Sequence, residues 1–214
     1  IRPMVVDPDP VKGFETTAYG TTAVVNGQDY LFLPTEGKKM FVYNLDNVTL
    51  EAIVKTPFTT MRGMTTDSDG IVWGVGDNAF VWLYDPYTEV GTRSINYKIE
   101  GGIEDTNSGF TIVSDDNGNL YLGSYEKAYI VKYEPQTGRF SKVVGELHPD
   151  AAYSSGLVYK DGFLYAAISG DRNNDGTKVA EVLKIDLAAN KVVARKDILP
   201  QFGDDEVMVR GSGI

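Results

Sequence analysis

Four glycines, Gly27, Gly70, Gly118 and Gly162, each sit in a tight turn between two apolar runs and recur about every 45 residues, which constrains the fold more than anything else in this chain. Around the second, the chain reads Arg62-Gly63-Met64-Thr65-Thr66, Asp69-Gly70, Val72-Trp73-Gly74-Val75, Phe80-Val81-Trp82-Leu83-Tyr84, Asp85-Pro86, and a further run to Tyr97. An Asp-Gly or Asn-Gly pair suits a two-residue hairpin in which both central residues take positive φ, and Asp-Pro presets a turn. The segment therefore predicts four short antiparallel strands in a meander. The same layout surrounds Asn26-Gly27, Asn117-Gly118 and Asp161-Gly162. A helix would need apolar residues at i, i+3 and i+4 over about ten positions, and no window between the glycines sustains that. Four-stranded units at this period predict an all-β fold, a β-propeller of four-stranded antiparallel blades, with blades near 19–58, 59–106, 107–152 and 153–200 in a single domain.

Both ends read as partial blades. Residues 1–16 hold Pro3, Pro8 and Pro10 around Met4-Val5-Val6, which suits only an outer, edge-type strand. At the other end, Val207–Ile214 resembles Arg62-Gly63-Met64 and Ser155-Gly156-Leu157, the starts of innermost strands. These two ends cannot complete one blade together. The sequence is therefore expected to belong to a longer propeller, its remaining strands lying in further sequence or in a companion chain.

Charge narrows the partners. A formal charge of −10 and a pI near 4.6 repel phosphate backbones and anionic membranes, so neither nucleic acid nor membrane insertion is expected. With no cysteine, disulfide and thiolate chemistry are excluded. The absence of a long apolar run, and of a basic and apolar leader before Ile1, predicts a soluble chain with a processed or excised N-terminus.

The phrases Asp69-Gly70-Ile71-Val72-Trp73, Tyr84-Asp85-Pro86-Tyr87-Thr88 and Tyr133-Glu134-Pro135-Gln136-Thr137-Gly138 resemble bacterial propeller repeats of the lactonase-like, virginiamycin-B-lyase-like and quinoprotein-like groups. The resemblance covers nearly the whole chain and implies the propeller architecture. Lactonase-type propellers hold a central metal through Glu, Asn and Asp, where this chain carries Tyr19, Arg62, Ser108 and Ser155. Virginiamycin-B-lyase-like enzymes use a histidine base beside a metal, whereas His148 is the only histidine here and reads as a surface residue.

In a propeller, the interblade links and the loops between second and third strands emerge on one face around the central funnel. Tyr19, Arg62, Ser108 and Ser155 each stand directly before an inner strand, as does Arg210 or Ser212, and should ring that mouth, with Tyr125 and Asp77 reaching it from loops. The links and loops carry many carboxylates, so the face should be acidic and aromatic. Arg62 either grips a carboxylate or hydroxyl-rich ligand by paired hydrogen bonds or neutralises the acidic loops around it. Asp171, Asn173 and Asp175, with the Thr177 carbonyl, match the alternating oxygens and turn glycine of a calcium-binding loop, although no Glu closes the site; the alternative is a polar turn. Glu104/Asp105 and Asp204/Asp205 suit either acid–base chemistry on a glycan or simple solvation. Trp73, Trp82, Tyr43, Tyr84 and Tyr133 read as packing between blades.

These features describe a ligand-binding or scaffolding propeller, secreted or surface-located and bacterial, that recognises a small molecule or glycan on its acidic funnel face. A polysaccharide lyase or hydrolase of propeller type is the alternative, and a protein–protein platform a third.

Overall fold

The computed structural model of this chain describes residues 20–35, 37–88, 92–98, 101–103 and 108–199. Tyr19, Glu104, Asp105 and both partial end blades of the sequence reading lie outside these residues. The described residues form sixteen strands in four antiparallel meanders. Blade 1 comprises β1 (Thr21–Val25), β2 (Gln28–Thr35), β3 (Lys39–Asn44) and β4 (Thr49–Lys55). Blade 2 comprises β5 (Met61–Thr66), β6 (Val72–Gly76), β7 (Phe80–Tyr84) and β8 (Thr92–Asn96). Blade 3 holds β9 (Ser108–Ser114), β10 (Leu120–Tyr125), β11 (Ile130–Glu134) and β12 (Arg139–Val143), and blade 4 holds β13 (Tyr153–Lys160), β14 (Phe163–Gly170), β15 (Val179–Asp186) and β16 (Lys191–Asp197). A bridge from Tyr125 to Tyr153 joins the last two blades edge to edge.

Strand alternation sends neighbouring side chains to opposite blades. Along β7, Trp82 and Tyr84 pack with Phe32, Met40 and Val42 of blade 1, while Val81 packs with Ile112 and Leu120 of blade 3. Blade 3 repeats the division: Leu120 and Leu122 face blade 2, and Tyr121 and Ile130 face Leu164, Ile168 and Leu183 of blade 4. Trp73, Trp82, Tyr84 and Tyr133 are all buried in these interblade layers, as packing required. Tyr43 occupies the same repeat position but is only half-buried, on the side of blade 1 away from blade 2.

The hairpins fall into two kinds, which corrects the sequence reading. Asn26-Gly27 and Asp161-Gly162 are two-residue turns with both φ values positive. At Asp69-Gly70 and Asn117-Gly118 only the glycine is positive. There the turn is longer, running from Asp67 to Gly70 and from Asp115 to Gly118, because the first Asp organises it. Asp67 Oδ1 accepts the amides of Asp69 and Ile71, and its Oδ2 accepts Trp73 Nε1 at 2.6 Å. Asp115 accepts the amides of Asn117 and Asn119 and, through Oδ2, the Tyr121 hydroxyl at 3.0 Å. One carboxylate thus closes the hairpin and anchors an aromatic six positions on in both blades.

Asp115→Ala removes charge-assisted bonds from a buried turn and orphans the Tyr121 hydroxyl, so it should lower stability by about 2 to 3 kcal/mol in urea unfolding. A loss under about 0.5 kcal/mol would show that the turn holds without its carboxylate.

Burial, reinforced by the Asp85 carboxylate, pushes the Tyr84 phenol up from its ordinary 10.0 to about 12. Burial and Asp115 likewise raise Tyr121. Above pH 10.0 the unfolded chain releases phenolic protons that the folded chain retains, so stability should be whole below that pH and fall as pH rises through about 12. Unfolding midpoints measured across this range should decline, and Tyr84→Phe should flatten the decline. An unchanged slope in that variant would rule out Tyr84 as a source.

Candidate functional site

Each inner strand begins on the face where the interblade links enter, and in blades 2, 3 and 4 it begins irregularly. Register shifts fall between Met61 and Gly63, between Gly123 and Ser124, and between Ser154 and Gly156. Such bulges re-aim the side chains beside them. They bring together a run of side chains from three blades: the Arg62 guanidinium lies over the Phe110 ring, 5.3 Å from its centroid; Phe110 meets Tyr153 edge-on at 5.4 Å; and Tyr153 stacks on Tyr125 at 4.8 Å and 22°. All four side chains are partly exposed.

Arg62 is the unusual member. Its Nε is buried with no hydrogen-bond partner, and none of the ion pairs formed among the described residues includes it. The expectation that Arg62 neutralises surrounding acidic loops therefore finds no carboxylate partner among those residues. A guanidinium carries five donors, and resting its flat face on an aromatic ring leaves them directed sideways.

The other expected residues are placed differently. Ser108 and Ser155 are buried, and Ser155 Oγ donates to the Ala167 carbonyl of its own blade at 3.3 Å. Asp77 is exposed, with its amide bonded to the Thr60 carbonyl. Of the expected set, Arg62 and Tyr125 are joined, through Phe110 and Tyr153. Sequence reasoning passed over those two as site residues. The signal for them was position, since both lie in the first residues of an inner strand.

The acidic links form a structured rim beside this run. Arg172 donates to the Glu146 carboxylate and to the Pro149 carbonyl, and Asn173 Nδ2 donates to Asp150 Oδ1 at 3.1 Å. His148 Nδ1 accepts the Asp150 amide, which makes the histidine part of a local turn. Between Gly170 and Val179, Asp171 Oδ1 and Oδ2 accept the amides of Asp175 and Gly176, and Asp175 Oδ1 accepts that of Thr177. Hydrogen bonds from Thr177 hold the Asp175 carboxyl below its ordinary range. Among the described residues no three His, Asp or Glu side chains gather as metal ligands, so any cation here would also draw on Asn173 and main-chain oxygens.

The opposite face carries a cleft of about 580 Å³ between the hairpins of blades 2 and 3, lined by Asp67, Asp116, Asn119, Lys132 and Glu134. Its charges are largely spent internally: Lys132 holds Glu134 at 2.8 Å and lowers its carboxyl, and Tyr159 donates to Asp116.

No protein-family model and no curated protein matches the chain. Solved structures do, propeller domains among them. The chain is similar to an extracellular domain assigned to a one-component system of B. thetaiotaomicron, at a TM-score of 0.63 and 15% identity over 89% of this chain and 23% of that one. A protein of unknown function from Bacteroides caccae gives 0.59 and 15% over 89% of this chain and 70% of the other. The Swd1 β-propeller domain of Myceliophteria thermophila gives 0.61 at 9% identity over 87% and 58%. The fold is a β-propeller, and the chain spans under a quarter of the length of the B. thetaiotaomicron domain.

Proposed function

We propose that this propeller is a ligand-binding module that takes a small molecule or glycan at the mouth of its inner strands. The observation that carries the reading is Arg62, a cation laid on Phe110 with its Nε buried and unpartnered. The side chain as a whole stays partly exposed, so the guanidinium's remaining donors can meet a ligand oxygen. Tyr153 and Tyr125 supply a flat platform next to it, suited to the face of a sugar ring. Arg62 as donor and two tyrosines as stacking surface describe recognition of a ring bearing a carboxylate or several hydroxyls. Similarity to an extracellular domain supports a secreted or surface location. Turnover assays on any bound glycan would separate this binder from a polysaccharide lyase or hydrolase.

A glycan array spanning neutral and acidic oligosaccharides supplies the ligand, and titration then tests the site. Arg62→Ala should weaken binding by about 1.5 to 3 kcal/mol, the range for a charge-assisted hydrogen bond, and Tyr153→Ala should weaken it as well. Unchanged affinity in Arg62→Ala would remove the guanidinium from the site.

A calcium site in the turn holding Asp171, Asn173, Asp175 and Thr177 is a second reading, favoured by how the Asp171 carboxylate already wraps the turn onto its own amides. Without a closing Glu, binding should be weak, in the range of about 10⁻⁴ to 10⁻³ M. Calorimetry after chelator treatment should show calcium uptake that Asp171→Ala abolishes. No heat at millimolar calcium would leave a polar turn only.

A further inference from the structure

Three interblade layers join blade 1 to 2, 2 to 3 and 3 to 4, and they share a construction. On the third strand of each blade, the residue facing the next blade is sealed: Val42, Val81 and Ile130 are all 0% exposed. The matching residue of blade 4, Val182, is 40% exposed, and Val158 on the same face is 47% exposed. Phe163 and Tyr165 share the surface, with Lys184 Nζ resting 3.9 Å from the Phe163 centroid. Blade 4 therefore presents an interblade face that the described residues leave uncovered.

The inner strands show how such a face is covered. A Cβ on Gly63 would lie 2.9 Å from Thr111 Cα, so this glycine is where the inner strand of the next blade comes too close for a side chain. Gly156 is the counterpart of Gly63. Both follow a bulge, and Gly156 pairs with Ala167 as Gly63 pairs with Val75. Yet a Cβ on Gly156 would meet nothing closer than Ala167 Cβ at 3.6 Å. Nothing among the described residues accounts for glycine there, whereas a further inner strand would.

A segment of suitable pattern exists in the sequence. Arg210-Gly211 repeats Arg62-Gly63, within an apolar run that opens with Val207-Met208-Val209. Gly211 follows the end of β16 at Asp197 by one residue more than Gly156 follows the end of β12 at Val143. We propose that Val207–Ile214, which lies outside the described residues, docks on this face as the inner strand of a fifth blade, with Gly211 against Ala167 and Gly156.

The cysteine-free chain allows a direct test with single thiols. Ala167→Cys, a small change that leaves the blade 3 interface untouched, is placed in the full 214-residue chain and its native-state reaction with a thiol reagent is compared with that of Val48→Cys, a turn position 77% exposed. The thiol at 167 should react slower by a factor of about ten or more, and adding Gly211→Val should remove the protection. Equal rates at the two positions would overturn the proposal, as would protection that Gly211→Val leaves intact. Protection seen only at concentrations where solution mass shows a dimer would overturn it too, since a second copy would then be the cover.

Discussion

A sheet of four short strands survives here because neighbouring blades cover its apolar faces. The side chains that do this are large: Trp82, Tyr84, Phe32 and Met40 fill one layer, and Leu164, Ile168 and Leu183 fill another. Full burial of one such group contributes about 1.5 to 3 kcal/mol, so each interface outweighs what a lone blade could supply. Alternation along the middle strands gives every blade two apolar faces, and the chain can satisfy them only by stacking blade on blade. Turn chemistry, strand length and the placing of aromatics all serve that end.

The blades were legible because their signals are local. Hairpin glycines, Asp-Pro turns and period-2 apolar runs each act over a few residues, and their repetition marked all four blades. The turn type at Gly70 and Gly118 was not legible from the dipeptide, since it depends on where the carboxylates of Asp67 and Asp115 reach. The site was half legible. Arg62 stood out as a cation at the head of an inner strand, but the partners it meets follow from bulges. A bulge shifts the alternation by one residue, so counting from the glycine put Ser155 at the opening, whereas the structure buries it and leaves Tyr153 stacked on Tyr125 instead. Gly63 and Gly156 stand at two of these shifts, but residue alternation alone does not show which side chain a bulge re-aims.

The distribution of charge follows the same division between rim and centre. Two carboxylates on the described links are tied to neighbours, Glu146 to Arg172 and Asp150 to Asn173. Arg62 sits inside that rim on an aromatic ring, a placement worth about 0.5 to 2 kcal/mol to the cation and one that needs no carboxylate to hold it. The partly exposed guanidinium is fixed without a carboxylate partner among the described residues.

The run from Arg62 through Phe110 and Tyr153 to Tyr125 crosses three blades. A molecule held by Arg62, Tyr125 and Tyr153 together would act as a tie-bar across two interfaces. The spacing between neighbouring blades would set how well it fits, and its presence would in turn stiffen the stack against shear, so that occupancy at the mouth becomes a mechanical property of the whole ring segment.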